Sequence, residues 1–382
     1  MKFAHISDLH LGIDLNSFSL QEDQKFILDE ILKIAEEEKV DGIFIAGDIF
    51  DRAIAPVEAI NTFVDFLTRL QEKNIKVFAI SGNHDSAERL APGRNFMTGS
   101  GIYFSAVYEG SVNCITLNDE FGEVNVYLMP FIRPGLVKHF AELKGEEVDF
   151  EKNPWNQAVD YVIEGMNLDV KKRNVLVAHQ NIINAEPSDS ETVIYGGLDG
   201  VSASLFADFD YTALGHIHKP QNLAENVRYC GTPLKYSLSE KDQKKSVTIV
   251  ELGKKGEVKV SERELKPLRD LRLIEGTFAE IAEDFKTTKL NKNDFVSVVL
   301  RDEVEIPEIM TKLRNMYPNT FGFKYENSRT KNSKDVNELA AAARQSPLEN
   351  FEKFYEYRSG LPLTDEERRI VSDLINEIWG DE

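Results

Sequence analysis

Three aspartates, an asparagine and five histidines stand in five short stretches, each directly after an apolar run that reads as a β-strand. Asp8-Leu9-His10 follows Phe3–Ile6, Gly47-Asp48 follows Ile43–Ala46, and Gly82-Asn83-His84-Asp85 follows Val77–Ile80. His179 follows Val175–Ala178, and Gly215-His216-Ile217-His218 follows Tyr211–Leu214. Of the seven histidines in the chain, five lie in these stretches. Hard oxygens and imidazoles without thiolates suit Mn²⁺-like or Fe-like ions better than structural zinc. Five histidines are too many for one ion and nearly the right number for two. Such a pair, about 3.5–4 Å apart, can clamp the attacking and leaving oxygens of a phosphate ester, with one carboxylate bridging.

Taken singly, each stretch has a plainer reading. Asp8-Leu9-His10 could be a solvated turn, Gly47-Asp48 a helix entry, and His179 a satisfied core histidine. Gly215-His216-Ile217-His218 is harder to dismiss, because residues two apart on an extended segment point the same way. Loops at the carboxyl ends of strands in an α/β sheet gather in one crevice, so ligands spread over 210 residues can meet there.

The elements that must position them are legible in the apolar spacing. Residues 1–81 alternate strand and helix: strand 2–7, a helix near 21–38 with Ile27, Ile31, Ile34 and Ala35 as its stripe, strand 42–46, a helix from Pro56 with Ile60, Phe63, Val64 and Leu67, then strand 76–81. Pro56 suits a first helical turn, where its missing N–H is not needed. Val124–Met129, Val175–Ala178 and Val247–Leu252 read as strands, with a helix near 154–166 between the first two. The turn Gly253-Lys254-Lys255-Gly256 joins Val247–Leu252 to Val258–Val260 as a hairpin. After Leu265-Lys266-Pro267 the pattern resets into a small α+β region: strand 271–274, a helix near 278–285, strand 295–300 and a helix over 307–316. Residues 326–334 read as a polar linker. Thr364-Asp365-Glu366-Glu367 has capping-box spacing, and Ile370, Val371, Leu374, Ile375 and Ile378 form one apolar stripe behind it. This C-terminal pair of helices, with Phe351, Phe354 and Tyr355, either packs on its own protein or receives a partner.

Composition narrows the class. At 382 residues there is room for two or three domains and a core that needs no staples. The apolar runs are too short to span a bilayer, and the N-terminus enters the first strand without a leader pattern. Cys114 and Cys230 are the only cysteines, too few for a disulfide framework, so a cytoplasmic protein with reduced thiols is expected. The net charge of −20 argues against coating nucleic acid by bulk electrostatics. It does not exclude an enzyme that grips a polyanion through bound cations.

Together, Asp8-x-His10, Gly47-Asp48, Gly82-Asn83-His84, His179 and Gly215-His216-x-His218 resemble the calcineurin-like metallophosphoesterases. Ile6–Gly12, Ser81–Leu90, Gly196-Gly197-Leu198-Asp199, Phe206–Tyr211 and Gly231–Ser237 resemble the nuclease branch of that family, the SbcD-type subunits of bacterial SbcCD complexes. The resemblance implies an α/β fold: a metallophosphoesterase β-sandwich flanked by helices over 1–265, an α+β capping domain that helps bind DNA over 266–326, a linker over 327–345, and C-terminal helices over 346–382 that grip an SbcC-type ATPase. It implies one ion on Asp8, His10, Asp48 and His218, a second on Asp48, Asn83, His179 and His216, and a catalytic role for His84. Asp85 would orient His84 or serve as a solvent-facing turn residue. Relatives in other branches carry a histidine three residues after the bridging aspartate, where this chain has Asp51.

The activity so implied is Mn²⁺-dependent hydrolysis of DNA phosphodiesters: endonuclease on single strands and hairpins, and ATPase-gated 3′→5′ exonuclease on duplex ends. It belongs to DNA repair, recombination and replication. A homodimer within a heterotetramer, without membrane, is the implied assembly, nucleoid-associated in the cytoplasm. The tail 346–382, with ten acidic and four basic residues, suits a basic protein partner better than DNA. Two rivals remain at this level: a phosphatase or cyclic-nucleotide phosphodiesterase of the same superfamily, and a scaffold whose metal centre is vestigial. Small-ester phosphatases typically lack so long a C-terminal extension, and no ligand position has been lost.

Overall fold

The computed structural model describes residues 1–86, 98–150, 152–191 and 200–327, and scattered positions between 348 and 374. Ala87–Leu90 of the third motif, Gly196-Gly197-Leu198-Asp199, and most of the linker and C-terminal helices lie outside the described residues.

Two six-stranded mixed sheets carry the first part of the chain. In the first the order is Val258–Glu264, Ser246–Leu252, Lys2–Ile6, Gly42–Ala46, Lys76–Ile80, Ile102–Ser105, and the last four run parallel. In the second it is Gln221–Ala224, Val227–Tyr229, Tyr211–Gly215, Arg173–His179, Gly122–Met129, Asn113–Asp119, with the middle four parallel. The hairpin expected at 253–256 pairs Ser246–Leu252 with Val258–Glu264. Helices α1 (Gln21–Glu37) and α2 (Val57–Glu72) follow strands of the first sheet; α3 (Pro134–Leu143) and α4 (Pro154–Glu164) lie between strands of the second.

The near-continuous apolar runs of the central strands follow from having both faces covered. Along Gly42–Ala46, Ile43 and Ile45 join the cluster that holds Ile27, Ile31, Phe63 and Leu70 of α1 and α2, while Phe44 and Ala46 face the second sheet. Val175 and Val177 meet that inter-sheet layer; Leu176 and Ala178 turn to a third cluster with Ala158, Val159 and Val162 of α4. Side chains alternating with period two thus make a four-layer helix–sheet–sheet–helix sandwich. Phe3, Phe44 and Phe78 fill its middle, with Phe3 and Phe44 stacked at 4.6 Å.

The α2 stripe differs from expectation. Phe63, Phe66, Leu67 and Leu70 are buried, but Ile60 and Val64 are 43% and 52% exposed, with Val57 beside them at 66%. Burial on one side only means the sequence stripe is wider than the sheet it covers.

A third sheet pairs Leu271–Gly276, Phe295–Leu300 and Thr320–Tyr325 in that order, accompanied by α5 (Phe278–Thr287) and α6 (Ile309–Met316). Thr320–Tyr325 was passed over in the sequence, although Phe321, Phe323 and Tyr325 alternate with the period of a strand. The chain divides into two compact units, one of Met1–Ile274, Thr288–Val298 and Met310–Gly322, the other of Glu275–Thr287, Val299–Ile309 and Phe323–Glu382. In the second unit α5 begins at a capping box, with Glu280 accepting the Thr277 N–H at 2.7 Å. The one expected at Thr364 is present too: Glu367 accepts the Thr364 N–H at 2.9 Å and donates its own N–H to the Thr364 hydroxyl at 3.3 Å. No helix among the described residues is long and apolar enough to cross a membrane.

Candidate metal centre

All five motif loops leave the carboxyl ends of parallel strands. Asp8, His10 and Asp48 adopt positive φ (52°, 42° and 47°), a backbone state costly for non-glycine residues and common at functional sites. The loops interlock through main-chain bonds, Asp8 N–H to the Gly47 carbonyl and His10 N–H to that of Asp48, both 3.0 Å. Gly47, at φ 88°, leaves room for His179, since a Cβ there would lie 2.3 Å from its Nδ1.

Asp8, His10 and His218 form one buried group and Asp48, His179 and His216 another, the ligand atoms within each lying no more than 4.8 Å apart. His10 Nε2 and His218 Nε2 face each other at 3.2 Å. Asn83 Oδ1 lies 3.0 Å from both His179 Nε2 and His216 Nδ1. Asp48 joins the groups through one atom: Oδ2 is 3.3 Å from His179 Nε2 and 3.9 Å from His10 Nε2, while Oδ1 accepts the His84 N–H at 2.9 Å. His179 donates Nδ1–H to the Ala46 carbonyl at 2.8 Å, which leaves Nε2 as the nitrogen turned toward Asp48 and Asn83. Lone pairs turned on one another inside a protein need a proton or a cation between them. These donors fit a pair of divalent ions.

The electrostatics say the same. Burial pushes the imidazolium forms of His10 and His216 down, each to about 3, so both rings are neutral and ready to ligate. For His179 burial acts downward too, but the Asp48 carboxylate outweighs it and lifts the ring to about 9. Burial raises Asp48, and the surrounding histidines, His179 foremost, more than reverse this and hold it well below the usual carboxylate range. An ion held by the second group would compete with the proton on His179.

His84 stands beside the first group, its ring 4.9 Å from that of His10 and its Nδ1 3.0 Å from the Asp51 carbonyl. Asp85 corrects the expectation of a solvent-facing turn. It is buried and accepts N–H groups of Gly82, Ile49 and Phe50 at 2.9, 3.1 and 2.9 Å, tying two motif loops together. Asp51 replaces Asp85 as the partner of the His84 ring. Asp51 also groups with His10 and His84 as a third set of ligand-type atoms.

The calcineurin-like phosphoesterase pattern matches residues 1–220, and a second pattern, described as the type 5 capsule protein repressor C-terminal domain, matches residues 267–359. The SbcD subunit of the SbcCD nuclease from Staphylococcus epidermidis is 33% identical over 324 residues, 84% of this chain and 84% of that protein. The chain belongs to the calcineurin-like phosphoesterases, in their SbcD branch. Among solved structures it is similar to a dimetal phosphatase from Danio rerio (12% identity, 70% of this chain and 98% of that one, TM-score 0.42) and to TT1561 of Thermus thermophilus (13% identity, 68% and 98%, TM-score 0.39).

For an SbcD-type phosphoesterase the sequence motifs omit a good part of the site. Ser190, Glu191, Glu240 and Lys245 surround His218 from behind and were not singled out. Ser237-Leu238-Ser239-Glu240 carries capping-box spacing, and this is the signal that could have found Glu240.

Proposed function

We propose that the chain is the nuclease subunit of an SbcCD-type complex and hydrolyses DNA phosphodiesters at a two-ion centre. Asp8, His10, Asp48 and His218 would hold one ion, and Asp48, Asn83, His179 and His216 the other. The observation that carries this reading is Asp48 Oδ2, which faces both groups, with His84 beside them in a chain of SbcD kinship.

When bound, the ions would supply a nucleophilic water at neutral pH and positive charge against the phosphate. Oxygen and imidazole donors without thiolate favour Mn²⁺. His84 acts on the departing 3′ oxygen: with Nδ1–H committed to the Asp51 carbonyl, Nε2 is the nitrogen left to deliver a proton or stabilise charge. Asp85 keeps His84 in place by anchoring the loop that bears it.

Residues 1–265 would then form the nuclease domain, 266–326 the capping domain, 327–345 a linker and 346–382 the segment that grips an SbcC-type ATPase. Phe351, Ile370 and Leu374 are 40%, 55% and 50% exposed, as a partner-binding segment requires. The apolar face Ile54, Val57, Ile60 and Val64 supports a homodimer within a heterotetramer. Kinship supports cytoplasmic, nucleoid-associated work in DNA repair, recombination and replication. The specific activities are single-strand and hairpin endonuclease, and 3′→5′ exonuclease on duplex ends gated by the ATPase.

Copurification with an SbcC-type ATPase followed by digestion of duplex ends tests this. Stable association and degradation that needs both ATP and Mn²⁺ are expected. A chain that neither binds the ATPase nor gains duplex-end activity from it would refute the assembly.

A further inference from the structure

A chain of buried polar groups ends on the ring of His218 from the side away from the centre. Ser190 Oγ lies 2.7 Å from His218 Nδ1 and 2.6 Å from Glu240 Oε1. Glu240, fully buried, pairs through Oε2 with Lys245 Nζ at 2.5 Å. Lys245, 5% exposed, also donates to the Thr232 hydroxyl at 2.6 Å, Gln243 Oε1 at 2.7 Å and the His218 carbonyl at 3.0 Å. Next to Ser190 in sequence, Glu191 accepts the His218 N–H at 2.6 Å. One short loop therefore holds both the ring and the main chain of His218.

The hydrogen positions follow from what each group can do. A carboxylate paired with an ammonium accepts only, so the single Ser190 hydroxyl proton points to Glu240. The serine oxygen must then accept from His218 Nδ1–H. That places the imidazole proton away from the centre and leaves Nε2, 3.2 Å from His10 Nε2, as the lone pair. Outer hydrogen bonds of this kind set the tautomer, ring orientation and basicity of a ligating histidine.

We infer that Ser190, Glu240 and Lys245 are positioning residues that fix His218 as an Nε2 ligand and so set the affinity of the ion held by Asp8, His10, Asp48 and His218. This rests on the reading of the two-ion centre given above. The buried Lys245–Glu240 pair has a second consequence. Removing one member strands a buried charge and threatens the fold, whereas Ser190 is only half-buried and can be truncated without that cost.

The test is Mn²⁺ titration of the full-length protein by calorimetry and electron paramagnetic resonance, comparing wild type, Ser190→Ala, Ser190→Thr and Glu240→Gln. In Ser190→Ala one of the two ions should bind roughly 10–100-fold more weakly, and the spectrum at intermediate loading should change from the spin-coupled pair to an isolated Mn²⁺. The thermal midpoint of the metal-free protein should stay as in wild type. Ser190→Thr, which keeps the hydroxyl, should restore both ions. Glu240→Gln should weaken the same ion as Ser190→Ala. Two ions bound to Ser190→Ala with wild-type affinity, or an equal weakening of both, would overturn the inference. A wild type that binds no ion pair would overturn the reading of the centre as well.

Discussion

His84 is held between two neighbours that set its chemistry: its Nδ1 lies 3.0 Å from the carbonyl oxygen of Asp51, and its ring meets that of His10 edge-on at 4.9 Å. A carbonyl can only accept, so the bond settles which nitrogen is left to exchange protons. The main-chain N–H of the same residue is bonded to Asp48, which keeps the ring beside the carboxylate shared by both ligand groups.

Replacing His84 with Ser should therefore lower cleavage by about 10²–10⁴-fold, the usual scale of a positioned acid or base, while both ions still bind. Single-turnover cleavage together with metal analysis checks this. Full activity in His84→Ser would remove its assigned role.

Asp48 should behave differently from every other ligand. Asp48→Asn weakens both ions, because Oδ2 faces both groups, whereas Asn83→Ala weakens one. The loss should exceed the roughly 10–100-fold cost of a missing outer hydrogen bond. Calorimetry with Mn²⁺ separates the cases; loss of a single ion in Asp48→Asn would show that it does not bridge.

Gly47→Ala is expected to damage both stability and the site. A side chain at φ 88° costs about 1–3 kcal/mol, and the new Cβ would meet His179 at 2.3 Å. The melting temperature should fall, and the ion assigned to His179 should bind more weakly. An unchanged melting curve with unaltered binding would contradict the packing described.

His5 provides a pH test outside the centre. Burial, with Arg228 adding to it, lowers its ring from 6.5 to about 3, and it lies 2.9 Å from the Tyr211 hydroxyl and 3.2 Å from the Leu214 carbonyl. A neutral buried ring binds fewer protons than the same residue unfolded, so its contribution is whole above pH 6.5 and is lost as pH falls toward 3. His5→Gln should make the decline shallower by up to about 1.4 kcal/mol per pH unit across that window. Equal slopes for the two metal-free proteins, by denaturant titration, would be the contrary outcome.

What the sequence made legible and what it hid have physical reasons. Phe44 and Ile45 can be read as a buried strand because alternate faces of Gly42–Ala46 meet two different apolar layers. Asp8, Asp48 and His216 are visible because each follows such a strand directly. Helix α3 has Leu136, Val137, Phe140 and Ala141 at helical spacing behind Pro134, a legible signal that was passed over. The edge strand Asn113–Asp119 is mixed, and only its Leu117 is buried, so its spacing gave no signal. Ile60 and Val64 show the converse error, apolar residues at the right spacing that lie on the outer side of α2. Glu240 and Lys245 were invisible because charged residues read as surface, and only their mutual pairing makes burial tolerable. Asp85, expected either to orient His84 or to face solvent in a turn, is instead buried on main-chain N–H groups, which no side-chain pattern announces.

The most direct test of the central claim is cleavage of hairpin DNA by the purified chain with Mn²⁺, run beside small phosphate monoesters. Endonucleolytic products that vanish in His84→Ser and on chelation are predicted. Hydrolysis of the small esters with the hairpin left intact would contradict the assignment of DNA as substrate.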